Sequence, residues 1–213
     1  SDPQLSSNWA GAVLTADSST YTSITGTFII PSPSFPSSTA RSSSTYSAAA
    51  WVGIDGENCS TALLQTGVDL TVSANGSVSI NGWYEWYPDF SHDFTGIQFS
   101  AGDTITLAVS ANSTTSGNVL IENTSTGQSV NHILTSTSAL CQTSAEWIVE
   151  DYRLGAETVP LANFETVKFT GAQVVARNEV LGPEGANLIN MVNAAGNVLT
   201  ETQIDPTSVT VTY

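Results

Sequence analysis

Basic residues are scarce in this sequence of 213 residues, which has 4 Lys and Arg against 19 Asp and Glu. The formal net charge is −15 at pH 7. Such a surface repels phosphate groups, so we expect neither nucleic acid nor an anionic membrane as a partner. Protonation at about pH 3 to 4 would remove much of the repulsion among the carboxylates, so the composition indicates a protein that works in an acidic medium.

Cysteine and histidine each occur only twice. Cys59 and Cys141 form no CxxC pair, and His92 and His132 are not spaced as metal ligands, so we expect no metal site. One disulfide is the simplest use of the cysteines, with two free thiols as the alternative. A Ser or Cys triad would need one of the histidines, and both have the sequence context of surface or turn residues.

Several catalytic motifs are missing: HExxH, the Asp-Thr-Gly or Asp-Ser-Gly dyad, the GxSxG elbow and a Gly-rich phosphate loop. No apolar run approaches the length of a membrane span and no signal peptide opens the chain, so we expect residues 1–213 to be one mature domain without a propeptide. The remaining reactive groups are carboxylates, amides and aromatic rings: Asp55, Gln65, Asp69, Trp83, Glu85, Trp86, Tyr87, Asp93, Glu146 and Glu150.

Alternation of apolar and polar residues predicts about fourteen short strands, and no segment has a helical period. The pattern indicates an all-β protein, either a two-sheet sandwich or a barrel. Residues 31–47 are poor in apolar side chains and are predicted to form a surface loop. The predicted strands span residues 8–14, 24–30, 48–55, 63–69, 70–74, 77–90, 104–110, 119–123, 129–134, 145–150, 166–176, 188–192, 198–203 and 208–213.

An Asn75-Gly76 turn predicts a hairpin whose register the residues leave open. A two-residue turn would place Gln65 opposite Trp86. A three-residue loop would place Gln65 opposite Glu85, with Trp83 and Tyr87 on the same face. We expect the second register if these side chains line one cleft.

The segment Ala145-Glu-Trp-Ile-Val-Glu-Asp-Tyr152 reads as a strand that carries a reactive carboxylate. Alternation puts Glu146, Ile148 and Glu150 on one face and Trp147 on the other. A carboxyl among apolar groups resists ionisation and can exchange protons during a reaction. An amphipathic strand whose acids face water is the alternative.

Six motifs in order along the chain resemble the glutamic peptidases, or eqolisins. They are Asn8-Trp-Ala-Gly-Ala-Val-Leu14, Ala50-Trp-Val-Gly-Ile-Asp-Gly56, Leu64-Gln-Thr-Gly-Val-Asp69, Trp83-Tyr-Glu-Trp-Tyr-Pro88, Ala145-Glu-Trp-Ile-Val-Glu-Asp-Tyr152 and Leu199-Thr-Glu-Thr202.

This resemblance implies an antiparallel double-sheet β-sandwich with about seven strands per sheet. It also implies secretion from a fungus, peptide cleavage at acidic pH, no cofactor and a Cys59–Cys141 disulfide. We expect a monomer that acts on proteins or peptides. By motif, the catalytic pair is Gln65 and Glu150, and the positions that line or support the cleft are Trp51, Asp55, Asp69, Trp83, Glu85 and Tyr87.

The chemistry of the pair fits this assignment. Glu150 as a carboxylate would take a proton from the attacking water and return it to the leaving nitrogen. The Gln65 amide would hold the water and donate to the developing oxyanion. Two features depart from the family pattern: Asn81 replaces an aspartate found in one type of member, and the hairpin tip at residues 71–80 is longer.

Two other functions remain open. Glu85 and Glu150 could serve a glycoside hydrolase, and Trp83, Trp86 and Tyr87 could form the stacking surface of a carbohydrate-binding module. Sequons occur at Asn58, Asn75, Asn112 and Asn123 and are compatible with secretion.

Overall fold

The computed structural model describes residues 2–37 and 45–213, and every regular element within these ranges is a β-strand. No described segment forms a helix that is long and apolar enough to cross a membrane. In chain order the strands are β1 (Gln4–Ser6), β2 (Trp9–Thr15), β3 (Tyr21–Ile29), β4 (Thr45–Asp55), β5 (Leu63–Ser73), β6 (Val78–Tyr87), β7 (His92–Asp93), β8 (Thr104–Ala111), β9 (Ser116–Asn123), β10 (Gln128–Thr135), β11 (Ser144–Glu150), β12 (Arg153–Leu154), β13 (Glu157–Thr158), β14 (Thr166–Ala176), β15 (Glu179–Leu181), β16 (Asn187–Met191), β17 (Glu201–Asp205) and β18 (Ser208–Thr212).

Two large sheets form a β-sandwich. The first sheet has the order β1-β16-β2-β11-β4-β5-β6-β7. The second has the order β10-β9-β8-β3-β14-β18-β17, with β15 paired to β14, and β12 and β13 form a separate small hairpin. All pairs are antiparallel except β1 with β16. The predicted all-β double-sheet fold is confirmed.

The sandwich core lies between the sheets. Strands β8, β9 and β14 alternate buried and more exposed residues, as expected for strands with one face on the core. Phe28 and Leu107 of the second sheet join Trp147 of the first sheet in one buried cluster. The Trp147 indole NH also donates to the Thr25 carbonyl oxygen across the core, at 2.9 Å.

Strands β4, β5 and β11 are buried on both faces, because a second apolar cluster covers the outer face of the first sheet. Trp51, Trp83 and Ile148 belong to this cluster, and Trp9 and Tyr152 pack against it. Polar side chains on this face are therefore held in an apolar environment.

The structure corrects several predicted boundaries. Thr45–Ser47 lies in β4 rather than in a loop, and the Tyr46 ring packs edge-on against Phe35 with centroids 5.4 Å apart. Residues 38–44 of the predicted loop lie outside the described ranges. The segments 63–69 and 70–74 form one continuous strand, and β17 begins at Glu201 rather than at Val198. Strands β1, β7, β12, β13 and β15 have two or three residues, too few to show a period, and were not predicted.

The predicted Cys59–Cys141 disulfide is confirmed, and it joins residues 82 apart. Asp55 reinforces this connection from the end of β4. Its fully buried carboxylate accepts backbone NH groups of Gln142 and Thr143, both at 2.8 Å, and a longer contact from Ser144 at 3.4 Å. Asp55 therefore fixes the segment that leads into β11.

Replacing both cysteines, Cys59→Ser with Cys141→Ser, should lower the free energy of unfolding by about 4 to 5 kcal/mol, because the loop-closure entropy of the unfolded chain is restored. Urea unfolding monitored by tryptophan fluorescence measures the change. A difference below about 1 kcal/mol would contradict the loop-closure account of this disulfide.

Candidate active site

The outer face of the first sheet carries three neighbouring rows of side chains, each running across β5, β4 and β11. The first row is Gln65, Gly53 and Glu146; the second is Gly67, Trp51 and Ile148; the third is Asp69, Ala49 and Glu150. The β4 members of the outer rows are a glycine and an alanine. The face therefore stays open at Ala49, whereas Leu63 and Trp51 fill the space over Gly53.

The hairpin between β5 and β6 uses a three-residue loop at positions 74–76. Ser73 N–H donates to the Ser77 carbonyl oxygen at 2.9 Å, and Gly76 takes a φ of 83°, which suits glycine at the last loop position. Gln65 consequently pairs with Glu85, which confirms the shifted register. Trp83 lies on the same face as Gln65, whereas Trp86 points into the sandwich core.

Gln65 and Glu85 interact directly. The Gln65 Nε2 donates to Glu85 Oε1 at 3.1 Å, while the buried Gln65 Oε1 has no hydrogen-bond partner. This contact orients the amide so that one NH is used and the second remains available.

Glu150 is held by tryptophan. The Trp51 Nε1–H donates to Glu150 Oε2 at 2.8 Å, and Trp9 packs edge-on against Trp51 with centroids 5.1 Å apart. Trp51 itself is fully buried. Gly67 makes room for it, because a Cβ at position 67 would lie 2.5 Å from Trp51 Cβ and 2.4 Å from the Ala50 carbonyl oxygen.

Asp69 is held in a similar way at the β6 side of the face. The Trp83 Nε1–H donates to Asp69 Oδ1 at 2.9 Å. Asn81, the departure from the family pattern, pairs with Asp69 across the strands and donates to Asp93 Oδ1 at 2.7 Å. This edge of the face therefore concentrates polar groups.

These side chains line one open cleft of about 340 Å³. Of the predicted residues, Gln65, Glu150, Asp69, Trp83 and Glu85 line it. Trp51 lies beneath it and Asp55 supports β11 from a distance. Tyr87 shares the face but is not among the lining residues and is 48% exposed.

Several lining residues were not predicted for the site. Asp93 was recognised only as one of the reactive groups, and Asn8 only as the start of a motif. The hairpin residues Arg153 and Leu154 follow β11 directly and carry no periodic signal. The residues that sequence reasoning missed are Asn8, Ala49, Ser91, Asp93, Tyr152, Arg153 and Leu154.

Two of the alternative functions lose their structural basis. Trp83 and Trp86 are 7% and 2% exposed, so they form no open stacking surface for a sugar ring. Neither histidine lines the cleft. Both stack on Tyr84, His92 at 5.6 Å and His132 at 4.7 Å, so neither is available for a Ser or Cys triad in the cleft.

Burial raises the pKa of the carboxyls on this face. The pKa of Glu150 rises to about 7, mainly through burial, although the indole NH groups of Trp51 and Trp9 lower it. Burial also raises the pKa of Asp69 to about 7, with Asp93 raising it further. The pKa of Glu85 is raised by burial, and that of Asp151 is raised by burial to about 6.

Basic side chains do little to offset these shifts. Across the described ranges, the one ion pair within 4.0 Å joins His92 to Asp89 at 3.9 Å. The same residues contain no group of three or more His, Cys, Asp or Glu placed to hold a metal ion. The carboxyls of Glu150 and Asp69 are therefore stabilised in their neutral forms below about pH 7.

We predict that the protein becomes less stable as the pH rises from about 5 to about 7. Raised pKa values mean that the folded state binds more protons than the unfolded state. The stability that these groups contribute is therefore fully present below their ordinary pKa values of 3.8 and 4.5, and it is lost as the pH rises through about 6 to 7. Melting temperatures measured by calorimetry across this range test the sign. A melting temperature that is flat or higher at pH 7 than at pH 4 would contradict it.

Comparisons with known proteins agree with this geometry. The family model described as the Peptidase A4 family matches residues 7–213. Aspergillopepsin-2 from Aspergillus niger is 45% identical over 225 residues, an alignment that covers 99% of this chain and 78% of that protein. Scytalidopepsin B from Scytalidium lignicola is 38% identical over 216 residues, covering 97% and 78% respectively.

A solved structure supports the same relationship. The crystal structure of scytalido-glutamic peptidase with a transition state analog inhibitor has a TM-score of 0.85 and 36% identity, with 97% of this chain and 98% of that chain covered. The match includes both large sheets and therefore the face that carries the cleft. The chain belongs to the Peptidase A4 family, that of the glutamic peptidases, and is a peptidase.

Proposed function

We propose that this protein is a secreted endopeptidase that cleaves peptide bonds at acidic pH with Gln65 and Glu150 as its catalytic pair. The observation that carries the proposal is that both side chains line one cleft and each is oriented by a hydrogen bond, Gln65 by Glu85 and Glu150 by Trp51. An oriented amide and an oriented carboxyl in one cleft can supply a hydrogen-bond donor and a proton acceptor for one water molecule.

In the proposed reaction, the Glu150 carboxylate removes a proton from a water molecule as its oxygen attacks the scissile carbonyl carbon. The Gln65 amide donates to the carbonyl oxygen as it becomes an oxyanion. Glu150 then returns the proton to the nitrogen of the leaving amine, and the carbon–nitrogen bond breaks. Glutamine does not titrate, so its donor function persists in acid.

Several carboxyls share this face, so they titrate as a group. Indole NH groups donate to Glu150, and a water that donates to it also favours its ionised form. A negative charge on Glu150 would make Glu85 harder to ionise, because the two carboxyls repel one another. We propose that the active form has Glu150 ionised and Glu85 still protonated. The acidic limb of the pH profile would then follow from Glu150.

The substrate class follows from the family and the shape of the site. The solved relative holds a transition state analog inhibitor, and the open cleft of this chain can admit an extended polypeptide. The disulfide is consistent with an extracellular protein. We propose that it acts as a monomer.

Glu150→Gln should lower kcat for an unfolded protein substrate at acidic pH by at least about 1,000-fold, because the side chain keeps its size but cannot accept a proton. Gln65→Ala should cost about 100- to 1,000-fold in kcat through loss of the oxyanion donor. The double variant should lose much less than the product of these factors, because both residues act on one step. Release of peptides from acid-denatured protein measures all three.

Glu201→Gln, an exposed site on β17, is the matched control and should retain full activity. If Glu146→Gln abolishes turnover and Glu150→Gln does not, the base is Glu146. Activity on a soluble glucan but not on protein would favour a glycoside hydrolase instead.

Trp51→Phe keeps an aromatic ring but removes the indole NH. A hydrogen bond to a charged group contributes about 1.5 to 3 kcal/mol, so kcat/KM should fall by about 10- to 100-fold. The pKa of Glu150 should rise, which moves the acidic limb of the pH profile upward. A reduced rate with an unmoved acidic limb would mean that Trp51 serves only to pack the site.

A further inference from the structure

Glu146 is a buried acid that the proposed reaction does not use. Its side chain is fully buried, and neither carboxyl oxygen has a hydrogen-bond partner. Burial raises its pKa well above the ordinary value and the nearby Asp55 and Glu57 raise it further, although the neighbouring Ser144 hydroxyl lowers it. A buried acid without partners is tolerated only in its neutral form, since ionisation there requires a counter-charge or hydrogen-bond donors.

The Glu146 carboxyl and the Trp51 ring border the same small space. A Cβ built on Gly53 would be 3.1 Å from Glu146 Oε1 and 2.9 Å from Trp51 Cζ3, so both atoms border the space that the glycine leaves. Leu63 Cδ1 borders it as well, at 2.9 Å. The acid and the indole therefore fill one apolar gap beneath the cleft.

Trp51 connects this gap to the proposed base. Its benzene edge borders the same space over Gly53 as Glu146 Oε1, and its Nε1–H at the opposite side of the indole donates to Glu150. The two glutamates share one strand face with only Ile148 between them. A displacement of Trp51 would consequently change the hydrogen bond to Glu150.

We propose that Glu146 is a positioning residue: in its neutral form it packs against Trp51 and keeps the indole bonded to Glu150, and its ionisation displaces Trp51 and inactivates the site. The inference rests on the proposed function of Glu150.

The surroundings of Glu146 explain why ionisation would move the indole. Two of its neighbours, Asp55 and Glu57 near the end of β4, are acids. The neighbours on the adjacent strands carry no charge: Val13 on β2 and Leu63 on β5 are apolar, and Gln65 on β5 is neutral. Ser144 on β11 is the neighbouring hydroxyl, and its Oγ has no hydrogen-bond partner. A negative charge here is repelled by two acids and has no cation to pair with. Its hydration requires water in the gap, and the Trp51 ring occupies that gap.

The indole NH resonance of Trp51 reports this coupling without any need for activity. In Glu150→Gln the direct titrating partner is removed, so we expect the Trp51 resonance to shift or broaden between pH 4 and about pH 8 as Glu146 ionises. The double variant Glu146→Gln/Glu150→Gln should lose this component and keep at most the smaller changes caused by the other carboxyls of the face. A Trp51 titration that is the same in the single and the double variant would overturn the proposal.

Enzyme kinetics supply the second readout. Glutamine reproduces the size of the neutral acid, so Glu146→Gln should keep most of the activity in acid. The alkaline limb of its kcat/KM profile should move upward by about one pH unit, which is a tenfold change in proton concentration. Its melting temperature should exceed that of the unmodified protein at pH 7 and match it at pH 4. An alkaline limb and melting curves identical to those of the unmodified protein would overturn the proposal.

Further variants distinguish the proposed role of Glu146 from a purely structural one. Glu146→Met, uncharged and of similar length, should also move the alkaline limb upward and serves if Glu146→Gln folds poorly. Glu146→Ala leaves a cavity and should lower stability at every pH. If the unmodified protein cleaves no peptide in acid, the proposed function fails, while the Trp51 resonance still decides this inference.

Discussion

The hydrogen bond from the Trp51 indole to Glu150 is the interaction on which the site depends. It requires a large aromatic ring to be buried on the outer face of the first sheet, at a position that Gly67 leaves open and where Trp9 packs against it. Burial of this ring makes the face apolar, and the apolar face in turn raises the pKa values of the carboxyls around it. One packing arrangement therefore sets both the direction of the Glu150 side chain and its affinity for protons.

A protein with so few basic residues controls its carboxyls by a different route from ion pairing. The carboxyl of Asp69 accepts an indole NH, that of Glu85 a glutamine amide and that of Asp55 backbone NH groups, and none of these donors carries a charge. Neutral donors stabilise a carboxylate less than a cation would, so burial dominates in the cleft. The buried carboxyls therefore stay protonated across the acidic range and ionise near neutrality. The same rise in pH that ionises them also lowers the stability of the fold.

Small residues separate the reactive ones on this face. Gly53 lies between Gln65 and Glu146, and Ala49 lies between Asp69 and Glu150. Ala49 lines the cleft, whereas Leu63 and Trp51 fill the space over Gly53, so a Cβ there would have to displace them. The three-residue loop of the β5–β6 hairpin completes the arrangement, because a shift of one residue would have turned Trp83 and Glu85 into the core.

The sequence by itself predicted the longer strands, the alternation that puts Glu146 and Glu150 on one face, and the motifs that make Gln65 and Glu150 the candidate pair. These features depend on neighbours along the chain, and local periodicity records them. Only the tertiary structure decided the hairpin register, because the turn residues fit two loop lengths. It also brought Asn8, Asp93 and the Arg153–Leu154 hairpin to the cleft, and it left Glu146 without a partner. These outcomes depend on which residues of distant strands lie side by side, and that proximity is fixed by the packing of the sheets rather than by any local pattern.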